Sequence, residues 1–188
     1  MTVIAAITDG KVGHIASDSQ ESDEMSGTKR LDCKKIYEVA NGWVWGACGD
    51  CIIENFLNDP EYTYEMWGDA DADPYLLREW VSEMFDEMGY EYYKDSLGSP
   101  YPGAQMVPQD LIFGKAGKLW LVDGSTYQRE IKPGVFWGVG SGHVLATGAA
   151  HAMMADGMLP SKELVERACT AAIDRDMYCG GDLQYLSV

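Results

Sequence analysis

Basic residues are scarce in this chain. Fourteen Lys and Arg stand against 30 Asp and Glu, giving a formal charge of −16 and a pI near 4.3. Nucleic-acid affinity depends on cations that neutralise phosphates, so this deficit argues against DNA and RNA as partners. Long apolar runs are missing too. No stretch approaches the ~18 to 20 residues of a membrane span, and no membrane partner is expected. The opening MTVIAAITDGKVGHIA has no basic leading segment and is broken by Asp9, Gly10 and Lys11. It does not read as a secretory signal, and a cytoplasmic protein is expected.

Cysteine is sparse and odd in number. Cys33, Cys48, Cys51, Cys169 and Cys179 lie at irregular spacings that do not form a secreted disulfide framework. Cys48-Gly-Asp-Cys51 spells C-x-x-C, open to a redox or half-zinc reading, yet no second pair with metal-ligand spacing follows, which favours packing. His14, His143 and His151 have no neighbouring Cys or carboxylates in an arrangement suited to a metal or a Ser-His-Asp triad. Asp69-Ala-Asp71-Ala-Asp73 begins like a calcium loop but lacks the Gly and Glu that such a loop needs further on, so it reads as a solvated acidic loop. No metal and no cofactor are expected.

What is present is an ordinary globular composition, 46% hydrophobic and 23% charged over 188 residues, enough for one domain spanning 1–188. Segments TVIAAIT and VGHIASD flank Asp9-Gly10-Lys11, and KKIYEV and WVWGAC flank Ala40-Asn41-Gly42. Asp-Gly and Asn-Gly are hairpin turn chemistry, so two hairpins come first, joined by a polar loop from Gln20 to Asp32. Helical periodicity follows over 50–57 and, more strongly, over 74–92, where Leu76, Leu77, Trp80, Val81, Met84, Phe85 and Met88 recur at three- and four-residue steps. Residues 94–108 are rich in Gly, Pro and Ser and read as a loop. Short strands are expected at DLIFG, KLWLVD, TYQREI and VFWGVG, then helices over 142–158 and 161–174, and a closing edge strand DLQYLSV. Runs of strands followed by paired helices predict an α+β fold of stacked layers, helices outside and two sheets inside. No repeat or linker interrupts it.

The chemistry suggested first is at Thr2. A threonine hydroxyl needs a base. If Met1 is removed, the residue's own α-amine, with an intrinsic pKa of about 7.7 to 8.0, can serve near neutral pH. Position 2 alone is weak evidence, and an ordinary first strand would explain it. The surrounding pattern is more specific. Ile15-Ala-Ser-Asp18-Ser, Lys34-Lys35-Ile-Tyr-Glu-Val, Trp45-Gly46-Ala-Cys-Gly-Asp, Val139-Gly-Ser141-Gly and Asp174-Arg-Asp176-Met-Tyr-Cys179-Gly-Gly follow one another along the chain. In that order they resemble the proteasome β-subunit and bacterial HslV peptidases, members of the N-terminal nucleophile (Ntn) hydrolases. The resemblance covers almost the whole chain apart from 58–108.

That resemblance implies a four-layer αββα sandwich and a threonine endopeptidase in which Thr2 is the nucleophile, Asp18 and Lys35 act beside it, and Ser141 and Asp176 complete the catalytic set. Lys34 is a rival for the place of Lys35. Gly46 falls on the oxyanion-hole glycine, Ser22 on a substrate-aligning residue, and Cys179 where a serine is usual; a thiol is the weaker donor. Physically, a Lys35 cation would stabilise a deprotonated hydroxyl and lower the pKa of the amine, with Asp18 orienting it. The family further implies a polypeptide substrate, a homo-oligomeric ring enclosing the sites, and an AAA+ ATPase unfoldase as a partner. Two alternatives stay open: a catalytically inactive structural or assembly subunit, and an amidase of the same superfamily acting on small amides.

Overall fold

The computed structural model describes residues 2–22, 28–49, 57–58, 77, 79–83, 110–123 and 128–188. Strands β1 (Ile4–Thr8) and β2 (Gly13–Ser17) form the expected first hairpin. Its turn is held by Asp9, whose Oδ1 accepts from Lys11 N at 2.7 Å and Val12 N at 2.8 Å, while Gly10 takes φ 91°. The backbone N–H groups of Val12 and then Lys11 hold the Asp9 carboxyl below its ordinary range. The polar loop expected over 20–32 instead carries two short strands, β3 (Glu21–Ser22) and β4 (Lys29–Arg30), paired as a ribbon. Two-residue strands are too short to show alternation, so the sequence could not announce them.

Strands β5 (Ile36–Glu38) and β6 (Val44–Cys48) make the second hairpin. Both Asn41 (φ 57°) and Gly42 (φ 72°) adopt the left-handed conformation that Asn-Gly tolerates. Next come β7 (Asp110–Lys115), β8 (Lys118–Val122), β9 (Gln128–Ile131) and β10 (Trp137–Val139). Strand β10 starts later than VFWGVG suggests, because the chain turns at 132–135, where Val135 N donates to Lys132 O at 3.0 Å. Helices α1 (His143–Ala155) and α2 (Lys162–Ile173) and the final strand β11 (Gln184–Ser187) complete the order. The helical stretches expected over 50–57 and 74–92 are represented by helical residues 57–58, 77 and 79–83. The loop over 94–108, the Asp69–Asp73 motif and Cys51 lie outside the described residues.

Besides the β3–β4 ribbon, the described strands form two larger antiparallel sheets, ordered β10-β1-β2-β11 and β5-β6-β7-β8-β9. Period-two alternation then sorts side chains into three apolar layers. Ile4, Ala6 and Ile15 meet Val44, Ile112, Leu119 and Leu121 between the sheets. Val3, Ala5 and Ile7, on the other face of β1, pack against Ala146, Ala150, Leu164, Val165 and Ala168 of the two helices. Trp43, Trp45, Phe113, Trp120 and Val122 on the outer face of the second sheet meet Leu57, Leu77 and Val81. Burying one such large side chain contributes about 1.5–3 kcal/mol relative to leaving it exposed. Strands buried on both faces read as continuous apolar runs, as IAAI does, and β1 lies between two of these apolar layers.

Candidate active site

The hairpin register builds the site. Ile4 pairs with Ser17, so the next residues outward, Val3 and Asp18, lie side by side at the open end of the hairpin. Asp18 N donates to Val3 O at 3.3 Å, and Val3 N donates to Asp18 Oδ1 at 3.0 Å. Thr2, 5% exposed, therefore stands directly beside a carboxylate that is 0% exposed. The other carboxylate oxygen, Oδ2, accepts from Gln20 N at 3.2 Å and from Gly180 N at 3.1 Å. Three backbone donors thus fix the position of Asp18.

Lys35 enters from the second sheet, one residue before β5. Its ammonium lies 2.9 Å from Asp18 Oδ1 and also donates to Thr2 Oγ1 and to the Gln20 carbonyl. Three acceptors converge on a group with three N–H donors. The neighbouring Lys34 is exposed, with its Nζ over the Tyr37 ring at 4.7 Å, so the chain's alternation turns it away from this cluster. Lys35 and Asp18 form a buried pair with 6% and 0% of their side chains exposed. Removing one member of such a pair typically costs about 3–5 kcal/mol, because the remaining charge is left unpartnered.

The Thr2 carbonyl is grasped from a third direction. Gly142 N donates to it at 3.3 Å and Ser141 Oγ at 3.4 Å. Gly140 (φ 84°) passes so close that a Cβ there would collide with the Thr2 carbonyl oxygen. Ser141 thus contacts Thr2 at its carbonyl. Its Oγ is also 3.8 Å from the Sγ of buried Cys179. Burial, with the charge of Asp18 next, pushes the Cys179 thiol up to about 11, so this group remains a neutral S–H around neutral pH. The Asp176 carboxylate serves its own turn. Its Oδ1 accepts from Tyr178 N at 2.7 Å and its carbonyl from Cys179 N at 3.2 Å, shaping the bend that presents Cys179 and Gly180.

The remaining expected residues, Gly46 and Ser22, lie close by. Gly46 pairs with Ile36, and a Cβ there would approach Ile36 Cγ2 to 2.8 Å and the Lys35 carbonyl to 3.4 Å, so glycine keeps the strand next to Lys35 tightly packed. Ser22 accepts from Gln20 Nε2 at 2.9 Å, and the same amide reaches Met177 O at 3.4 Å. Gln20, Gly140 and Gly180 all touch the cluster, and sequence reasoning misses them. Glycine next to Ser141 and next to Cys179 is the one available signal; Gln20 acts through its backbone, which leaves no side-chain signature.

The other chemical candidates have partners of their own. His14 Nδ1 meets Tyr185 Oη at 2.7 Å, and burial lowers its pKa. His143 Nδ1 meets the Gly140 carbonyl at 2.7 Å, and His151 is exposed. Cys48 is buried between the sheets with its thiol pushed up to about 12, the opposite of the lowered value a redox cysteine needs. Among the described residues no group of His, Cys, Asp or Glu is arranged to hold a metal ion, and no helix is long and apolar enough to cross a membrane.

Two sheets between helical layers, with Thr2 at the open end of the first hairpin beside buried Lys35 and Asp18, are what the described residues build. The fold is the α+β sandwich of the proteasome and HslV type of Ntn hydrolase. Among solved structures, the chain is similar to eukaryotic HslV from Trypanosoma brucei (TM-score 0.67, 16% identity, 98% of each chain covered). It is also similar to Thiobacillus denitrificans BPH, solved alone (TM-score 0.71, 16% identity, 100% of this chain and 97% of that one) and in complex with epoxomicin (TM-score 0.71, 14% identity, 99% and 97%). No family model and no curated protein matches the sequence. Likeness at this identity establishes the fold alone.

Proposed function

We propose that the protein is a threonine peptidase that cleaves peptide bonds with Thr2 as nucleophile after loss of Met1. The observation that carries this reading is the Lys35 ammonium, hydrogen-bonded to Thr2 Oγ1 and paired with buried Asp18 at 2.9 Å. A structural subunit has no need to bury a charged pair against a hydroxyl at the end of its first strand, since buried ion pairs are poor stabilisers. In the proposed reaction Thr2 Oγ1 attacks the substrate carbonyl while its proton passes to the α-amine. The tetrahedral intermediate collapses to an acyl-threonine ester, with the proton delivered to the departing amine. Water then hydrolyses the ester and restores the hydroxyl. Lys35 stabilises the oxygen as it loses its proton, Asp18 holds Lys35, and Ser141 with Gly140 and Gly142 fixes the Thr2 backbone. Backbone N–H at Gly46 or Ala47 is the candidate donor to the oxyanion, a contribution typically of about 10²–10³ in rate. Asp176 and Cys179 support the turn behind Ser141, and Ser22 lies on the ribbon where an extended substrate would align.

The assembly proposed is a homo-oligomeric ring of these single-domain chains, which would confine the sites and take polypeptide delivered by an AAA+ unfoldase. The test of the chemistry is a pair of variants assayed on fluorogenic peptides. Thr2→Ala is expected to lose turnover by at least about 10³-fold with its unfolding temperature unchanged, and Thr2→Ser to retain activity, given the ~10⁴-scale effects of removing a nucleophile. Turnover by Thr2→Ala above about a hundredth of wild type would remove the threonine assignment. A wild type active only on small amides would move the substrate to the amidase class.

A further inference from the structure

We infer that Gln184 is a positioning residue for the site: its carboxamide stands in for a missing strand and sets the backbone from which Lys35 projects. The inference rests on the threonine-peptidase reading and extends it to a residue in another element. Among the described strands β5 is the last of its sheet, and Gln184 meets the segment leading into it on the side away from β6. Gln184, the first residue of β11, reaches that side from the other sheet. Its Oε1 accepts from Lys35 N at 3.0 Å and its Nε2 donates to Cys33 O at 2.6 Å. A neighbouring parallel strand would offer the N–H and C=O of one residue to these same two atoms, the carbonyl of Cys33 and the N–H two residues on. The amide orientation follows from the pairing, because the flipped form would set donor against donor and acceptor against acceptor.

Gln184 is itself fixed by register. It pairs across the sheet with Ser17, the residue before Asp18, and Ser17 Oγ approaches Gln184 Oε1 at 3.5 Å. One side chain therefore ties the strand that delivers Asp18 to the segment that delivers Lys35, bridging the two sheets where the ammonium must meet Thr2. Cys33 is held through its N–H on Ser19 O at 3.0 Å, and Gln184 holds the Lys35 end of the segment through Lys35 N.

The test uses full-length protein, fluorogenic peptide and two variants. Gln184→Leu removes both hydrogen bonds and is expected to lower kcat by about 10- to 100-fold with KM within about threefold, the split expected when a group serving the chemical step is misplaced. Gln184→Glu supplies a signature that a merely structural role would not produce. When ionised, the introduced carboxylate presents an acceptor to the Cys33 carbonyl; when protonated, it donates there and still accepts from Lys35 N, reproducing the amide. The kcat of this variant relative to wild type should therefore rise as pH falls from about 8 to about 5, the direction in which the carboxyl gains its proton. The nearby Cys33 thiol, pushed up to about 11 chiefly by burial, stays protonated across that window, and Lys35 is common to both proteins. Gln184→Leu with kcat within threefold of wild type, or a Gln184→Glu ratio flat with pH, overturns the inference. Lys35→Ala, run alongside, separates the two claims. If it is inactive while both Gln184 variants behave as wild type, the clamp alone is wrong; if it is fully active, the threonine-peptidase reading falls with it.

Discussion

Adjacent lysines on an extended chain point to opposite sides, and that alternation decides which of them serves the site. Lys34 lies exposed over Tyr37, whereas Lys35 is buried between Thr2, Asp18 and Gln20. Lys35→Ala is expected to reduce peptide turnover by at least about 10²-fold and to lower stability by about 3–5 kcal/mol, because Asp18 is left as a buried charge without its cation. Lys34→Ala should leave turnover within about twofold and stability within about 0.5 kcal/mol, as exposed substitutions usually do. Turnover together with urea unfolding of the two variants checks this; the opposite ranking would shift the register by one residue. The clustered side chains of Thr2, Asp18 and Lys35 are legible in the sequence because each proposed role belongs to a side chain at a strand end marked by a turn or loop. Gly140, Gly180, Gln20 and Gln184 are not, since what they contribute is closeness of backbone or an amide bridging two sheets. Such contacts exist only after residues far apart in the chain have met, as Gln184 and Lys35 do.

At the scale of elements, strands are legible where apolar residues alternate or run continuously, and hidden where they are two residues long, as in the β3–β4 ribbon. The Asp9-Gly10 and Asn41-Gly42 turns are legible because their residues tolerate backbone angles that others resist. Helix α2 shows the same logic at its start. Ser161 Oγ accepts from Leu164 N at 3.2 Å, a working N-cap without the reciprocal half of a capping box, because position 164 is Leu and not Glu. That Leu is fully buried in the layer between the helices and the first sheet, so packing took the position that capping would have used. Ser161→Ala is expected to cost about 1 kcal/mol and lower the unfolding temperature by about 2–4 °C, with Ser161→Asp close to wild type. A calorimetric scan that ranks Ala level with Ser would show that the cap contributes nothing. Helix α2 packs on β1 and β2, so fraying at its start would loosen the support behind Thr2 and Asp18.

At the scale of the whole molecule, the central claim is that the chain works as a peptidase only once Thr2 is its first residue, and that it does so in a ring. The layers make this geometrically coherent: β1 is buried on both faces, yet the residues before it end at a cluster supplied by both sheets and by the turns at 140–142 and 176–180. Enclosure would guard other proteins against such a site. One measurement reads both parts of the claim, namely native mass spectrometry of protein whose peptide turnover has been assayed on the same sample, followed by the mass of the denatured subunit. The account predicts a closed assembly of identical subunits, each lighter than the encoded chain by one methionine residue. Full turnover by a chain that retains Met1, or by a monomer across micromolar concentrations, would contradict it.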